Sequence, residues 1–268
     1  MTKESENCGI FYFVGAGLGD ENDLTIKGFN AIKGSKTVFM EQYTSVLMGL
    51  DVKKLEKLIK NKVNILLRKD LENCYERIYK SVLEGDTSFI TAGDPFIATT
   101  HHDLLLWLKK RNVTVKVINN VSIINAVISI TGLHAYKFGK IASIPFPYKN
   151  VLPFSSLNVI EDNLSINAHT IVLLDIDTEN NRYMKANEAI SIILEMAEKA
   201  EKKGTLNDKS LGIVVCRAGS DKLTVSSGML SELKKINFGD PLHTIIIPSR
   251  LLHFTEEEAI SLYAINGK

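Results

Sequence analysis

A chain of 268 residues, 45% hydrophobic and 24% charged, is long enough for one large α/β core or two domains of roughly 100 to 150 residues. Its net charge of +1 supplies no bulk field for nucleic acid or an anionic membrane. Cys8, Cys74 and Cys216 are odd in number, far apart and outside CxxC or CxxH spacing, which argues against a disulfide framework or a zinc site and for a reducing compartment. The stretch Met1 to Asn7 is unlike a secretory or transit signal, and no apolar run reaches the length of a membrane span, so a cytoplasmic location is expected.

In chain order, Ile10 to Val14 reads as a strand delivered into Gly15-Ala16-Gly17-Leu18-Gly19-Asp20. The spacing is GxGxG, not the GxGxxG of a dinucleotide fold, and the next helix is expected only near Asp23 to Thr25, so phosphate cradling has little support. Either the turn lets a ligand approach the backbone beside Leu18, or it simply joins strand to helix. Thr25 to Gly34 reads as helix, Thr37 to Met40 as a strand before Glu41-Gln42-Tyr43-Thr44-Ser45, and Asn64 to Leu67 as another strand. Leu55, Leu58 and Ile59 mark a helix between them. Leu71, Tyr75, Ile78, Tyr79, Val82 and Leu83 recur at helical spacing, with the tyrosines expected in packing.

Ser88 to Thr91 suits a strand buried on both faces of a parallel sheet, and it stops at Gly93-Asp94-Pro95-Phe96. Gly93 admits angles closed to other residues, and Pro95 keeps Asp94 extended. That acid is then either fixed at the strand's carboxyl end, where ligands of open α/β sheets bind, or solvated in an ordinary turn. Thr99 or Thr100 is expected to cap the helix of Leu104, Leu105 and Leu108. Val113 to Ile118 completes an alternation that implies a parallel sheet covered on both faces. The first domain is expected to span residues 1–120 and the second 121–268. Ser122 either caps the helix through Ala126, Val127 and Ile130 or faces the same crevice as Asp94.

Thr131 to Lys140 reads as a loop or edge strand, and Pro145, Pro147 and Pro153 punctuate a linker-like region. Ser155 to Asn163 is a short helix, His169 to Asp175 a buried strand ending in an acid, and Ala186 to Lys202 an amphipathic helix. Leu211 to Ala218 and Leu223 to Ser227 flank Gly219-Ser220-Asp221 as a hairpin, which brings antiparallel pairing into the second sheet. Met229 to Ile236 is read as helix and Thr244 to Ile247 as strand, and Thr255 with Glu258 forms a capping box for the last helix.

No Ser-His-Asp order, HExxH, Walker lysine or zinc spacing is present. His101 and His102 are expected on the surface or as caps, His169 and His243 as hydrogen-bonded core imidazoles. Arg217 serves either a structural ion pair or a substrate. What remains is a crevice of backbone turns, one or two acids and apolar residues, which suits a ligand carrying its own reactive group, such as S-adenosylmethionine.

Val14 to Asp20 with Asp23 to Gly28, Glu41 to Ser45, and Gly93 to His101 closely resemble the diphthine synthase (diphthine methyl ester synthase) family. So do Thr131-Gly132-Leu133 with Tyr136 to Gly139, His169-Thr170 with Leu173 to Ile176, and Arg217 to Ser220. The resemblance runs nearly end to end and sets these blocks apart from the wider tetrapyrrole-methylase-like superfamily. It implies two α/β domains, the first a mostly parallel sheet and the second a mixed one, with S-adenosylmethionine in the cleft between them and a homodimer. It further implies cofactor contacts at Leu18, Asp94, Ile97, Ser122, Ile123, Leu173, Ala218 and His243, no metal and no assigned catalytic residue. S-adenosylhomocysteine would be the product.

The implied reaction methylates, more than once, the 3-amino-3-carboxypropyl-histidine of translation elongation factor 2 in diphthamide biosynthesis. Tyr43, Phe96, Tyr136 and Phe138 are candidate aromatic neighbours of the resulting cation. Alternatives are a superfamily methyltransferase acting on a tetrapyrrole or ribosomal RNA, or a non-catalytic S-adenosylmethionine-binding adaptor of elongation factor 2. RNA would call for a basic face that the net charge does not supply. A dinucleotide dehydrogenase lacks its glycine fingerprint.

Overall fold

The computed structural model describes residues 8–43, 45–67, 75–149, 151–200 and 204–265. Met1 to Asn7, Thr44, Leu71, Cys74 and Lys202 of the sequence reading lie outside the described residues. The chain divides into two compact α/β units, one running through Ile123 together with Thr178–Asn180, the other comprising Ile124–Asp177 and the chain from Asn181 on. No described helix is long and apolar enough to cross a membrane.

In the first unit β1 (Ile10–Gly15), β2 (Thr37–Glu41), β3 (Val63–Leu66), β4 (Thr87–Thr91) and β5 (Thr114–Ile118) form an all-parallel sheet in the order β3-β2-β4-β1-β5. Strand β4 is buried along its whole length, as its β-branched, apolar run requires of a central strand covered twice. Side-chain alternation sorts the core into two layers. Phe13 and Phe39 both pair in register with Phe89, and with Phe11 they make one face aromatic, packed beneath α3 (Tyr75–Glu84) and α4 (His102–Lys109). Val14, Val38, Met40, Ile90 and Ile118 make the other face aliphatic, beneath α1 (Ile26–Gly34) and α2 (Val52–Ile59). Tyr75 and Tyr79 pack against Trp107, as expected.

All five parallel strands end at one edge, so the turns after β1, β2, β4 and β5 gather there. Helix α1 begins at Ile26 with Thr25 as its cap, as expected, and a 3-10 turn over Glu21–Asp23 precedes it. One detail differs from the sequence reading: neither Thr99 nor Thr100 caps α4, because the Thr99 hydroxyl donates instead to the Pro95 carbonyl and Thr100 meets the Tyr43 hydroxyl.

Helix α5 (Ile123–Thr131) begins on Ile123 of the first unit and otherwise belongs to the second, which is built on a mixed sheet ordered β11-β10-β12-β7-β6. Its strands are β6 (Ala142–Ile144), β7 (Thr170–Leu174), β10 (Leu211–Cys216), β11 (Thr224–Met229) and β12 (His243–Ile247), with β8 (Ile176–Asp177) and β9 (Arg182–Tyr183) as a separate ribbon. Only β6 and β7 pair in parallel; the hairpin of β10 and β11 supplies the expected antiparallel pairing. Val172, Val214 and Ile245 lie in one row and face α6 (Phe154–Ser165) and α7 (Ala186–Lys199). The helix expected from Met229 to Ile236 is a single turn, α8 (Leu230–Leu233). Thr131 to Lys140 holds a 3-10 turn over Ala135–Lys137, and Phe138 bridges to His169.

The last helix, α9 (Phe254–Ser261), is capped two residues earlier than Thr255 and Glu258 suggest. His253 is its cap, and Glu256 reaches back to the His253 N–H at 2.9 Å. Glu256 is fully buried, and it also accepts from the His134 N–H at 2.9 Å, the Lys137 ammonium at 2.6 Å and His169 Nε2 at 3.0 Å.

Candidate functional site

The turn after β1 has no free face for a phosphate. Asp23 Oδ2 accepts from the Leu18 and Gly19 N–H groups at 3.2 and 2.7 Å, and Asp20 Oδ1 accepts from the Asn22 N–H at 2.7 Å, so carboxylates of the chain occupy the anion's place. Gly17 and Gly93 instead bind each other: the Gly93 N–H donates to Gly17 O at 2.7 Å, and the Gly17 N–H to Gly93 O at 3.3 Å. Both have positive φ, +77° and +71°, which a side chain would oppose.

Asp94 is not a solvated turn residue. It is 5% exposed, and its carboxylate accepts from the Phe96 N–H at 2.9 Å, Asn119 Nδ2 at 2.9 Å and the Asn120 N–H at 3.3 Å. The Asn120 amide in turn donates to Gly15 O and Asp23 O, both at 3.0 Å. Three strand-end turns are thus locked together through one acid and one amide. The sequence reading passed over Asn119 and Asn120; the available signal was two adjacent amides directly after a strand of the same parallel sheet.

Around this lock the structure brings Leu18, Gly93 and Ser122 together. A Cβ built on Gly93 would lie 3.7 Å from Ser122 Cα, 3.8 Å from Val121 O and 4.0 Å from Leu18 Cδ2. That is a shallow cradle of backbone, carbonyl oxygen and aliphatic carbon, with no cation among these groups. Ser122 is buried, Leu18 and Ile123 are half-buried and Ile97 is exposed on the turn after Asp94.

In the second unit Leu173, Ala218 and His243 lie at one edge of the mixed sheet. Leu173 is the penultimate residue of β7 and pairs with Thr244, His243 begins β12 and pairs with Cys216, and Ala218 follows β10 by two residues. Buried His243 is the core imidazole its strand position implies. Nδ1 accepts from the Ala186 N–H at 3.1 Å, so Nε2 carries the proton and donates to Asp240 O at 2.9 Å. Burial pushes its pKa down, which keeps it neutral. His169 has the same tautomer, with Nδ1 accepting from the Ser249 N–H at 2.8 Å.

Among the described residues Arg217 has no ion-pair partner, and its guanidinium is not left open for a substrate. Its guanidinium donates to the carbonyls of Lys222, Phe238 and Asp240 and to the Thr224 hydroxyl, fastening the turn that carries Ala218. His101 also differs from expectation: His102 is exposed, but His101 is 2% exposed beneath the Pro95 turn. Among the described residues no group of three His, Cys, Asp or Glu side chains is placed to hold a metal ion. Of the aromatic candidates, Phe96 packs on Phe13 and Phe138 on His169, Tyr43 is half-buried and Tyr136 is wholly exposed.

A family described as Tetrapyrrole (Corrin/Porphyrin) Methylases matches residues 11–234. A diphthine synthase of Methanocaldococcus jannaschii is 43% identical over 259 residues, covering 96% of this chain and all of the relative. One of Methanocorpusculum labreanum is 40% identical over 94% of this chain and 98% of its own. A crystal structure of a diphthine synthase superposes with a TM-score of 0.85 at 32% identity, covering 96% of both chains. On this combination of sequence, fold and full-length coverage, the chain belongs to the diphthine synthase family of S-adenosylmethionine-dependent methyltransferases.

Proposed function

We propose that this protein transfers several methyl groups to the 3-amino-3-carboxypropyl side chain on the modified histidine of translation elongation factor 2. The observation that carries this reading is the end-to-end match to proteins named diphthine synthase, 43% identical over 96% of this chain in one case. S-adenosylmethionine supplies a sulfonium methyl open to in-line attack. The residues proposed to hold it are Leu18, Asp94, Ile97, Ser122, Ile123, Leu173, Ala218 and His243, drawn from both of the domains expected at 1–120 and 121–268. The carbonyl and aliphatic surroundings of Gly93, with the Asp94 carboxylate close behind, fit a cation better than an anion.

In this reading Asp94 orients and does not take protons, because its oxygens are committed to three donors that fix the turn. Neutral His243 supports the strand ends of its own sheet in the same way. A carboxylate acceptor needs no base, and an amine needs only to lose its proton, so position and orientation are what the chain must supply. A homodimer in the cytoplasm, acting on a protein and on neither nucleic acid nor membrane, completes the proposal.

Mass spectrometry of elongation factor 2 after incubation with the protein and S-adenosylmethionine tests it. Factor bearing the aminocarboxypropyl group should gain several methyl masses and unmodified factor none, since the bare histidine lacks the groups that reach the methyl donor. Unchanged mass, with methylation of a tetrapyrrole instead, would move the assignment to that branch of the superfamily.

A further inference from the structure

His101 is a buried ionisable residue that the proposed reaction leaves unused. It lies between the rings of Phe13, Phe89 and Tyr43, at centroid distances of 6.4, 5.1 and 6.0 Å. Its Nδ1 is 2.8 Å from the Pro95 carbonyl, which can only accept, so Nδ1 carries a proton. The same carbonyl accepts the Thr99 hydroxyl at 2.7 Å. On the other side, Nε2 is buried with no hydrogen-bond partner among the described residues and faces Glu41 Oε1 at 3.9 Å. Glu41 is 1% exposed, and its Oε2 accepts the Tyr43 N–H at 2.9 Å. One residue further along the β2–β4 pairing that joins Met40 to Ile90, Thr91 offers a buried hydroxyl that also has no hydrogen-bond partner among the described residues.

An apolar side chain would fill this space at lower desolvation cost, so packing alone does not account for an imidazole facing a carboxylate there. What the two groups do hold is backbone. Imidazole fastens the Asp94–Pro95 turn and carboxylate fastens the start of the Tyr43 loop, and the Tyr43 hydroxyl closes the circuit on Thr100 at 3.2 Å.

We propose that His101 and Glu41 are positioning residues for methyl transfer, acting as one unit that sets the turn bearing Asp94 against the loop bearing Tyr43. The inference rests on the reading that the Asp94 turn takes the cofactor.

Calorimetric titration with S-adenosylhomocysteine tests the pair, alongside thermal midpoints of every variant. His101→Ala should bind about tenfold more weakly, the equivalent of one hydrogen bond's fixing of the turn. His101→Asn should return to within about threefold of wild type, because its amide can donate from the Nδ1 position, whereas His101→Gln should stay at the alanine level. Glu41→Ala should weaken binding as well, and the double alanine variant should lose little more than either single one. Unchanged affinity in His101→Ala would overturn the proposal. So would additive losses in the double variant, or Asn and Gln variants that fall equally with their midpoints, the mark of mere packing. Wild-type protein that fails to bind S-adenosylhomocysteine would refute the cofactor reading instead.

Discussion

Glu256→Gln should destabilise the second unit by about 3 kcal/mol at neutral pH. The wild-type carboxylate is fully buried, and burial alone would raise its pKa; the His253 N–H, Lys137 ammonium, His134 N–H and His169 Nε2–H outweigh that and bring it from 4.5 down to about 2. A lowering of that size corresponds to roughly 3 kcal/mol in favour of the folded state at ~1.4 kcal/mol per unit. Glutamine gives an independent route to the same figure. Oε1 serves His134 and His169 while Oε2 serves Lys137 and His253, so whichever way the amide turns, two donors meet an NH2 group. Hydrogen exchange at the His134 and His253 amides, with chemical denaturation across pH, reads the effect locally and globally. Because the folded value is depressed, the carboxylate's contribution is complete above about 4.5 and is lost as pH falls through about 2. The gap between wild type and variant should therefore close over that window. Equal protection of both amides at pH 7, or a gap of undiminished size at pH 2, would refute the reasoning.

Asp94→Asn should weaken S-adenosylhomocysteine binding measurably in calorimetry, because an amide nitrogen would face one of the donors now held by the carboxylate; intact affinity with collapsed turnover would point to a direct catalytic role. Gly17→Ala should lower the thermal midpoint more than Gly93→Ala. Both incur the left-handed backbone penalty of about 1–2 kcal/mol, but only at Gly17 would the new Cβ lie 2.6 Å from Asp23 Cβ. Acid should begin to destabilise the protein below about pH 6.5, well before Glu256 titrates. Burial depresses His169 and His243 below their ordinary 6.5, so each contributes fully above that value and loses its contribution as pH falls through the lower folded one. A pH series of denaturation midpoints that stays flat from 7 to 4.5 would contradict it.

The order of strands and helices in the first unit was legible because hydrophobic period and turn residues are local properties. Ser88 to Thr91 announced a doubly buried strand, and Gly93 with Pro95 announced its abrupt end, where β4 indeed stops. The hairpin about Gly219 and the amphipathic helix through Ile193 were readable for the same reason. The family itself rested on spaced motifs that survive in one dimension.

Which polar groups meet is a different matter, since it depends on residues far apart in sequence. Asn120 and Gly15 are separated by 105 positions, His134 and Glu256 by 122, and nothing in either local stretch names its partner. For His101 the sequence suggests a surface or capping role, because a histidine at a helix start has no apolar period to betray burial; it does stand at the cap position, but Phe13, Phe89 and Tyr43, from three other segments, close over it. Arg217 likewise suggested an ion pair, and tertiary structure supplied three carbonyls and a hydroxyl instead. Sequence determined the elements and the turns between them through short-range sterics and periodic burial. Only the folded chain decided how buried donors and acceptors were satisfied, because each had to find its partner in whatever the assembled core brought within hydrogen-bond distance.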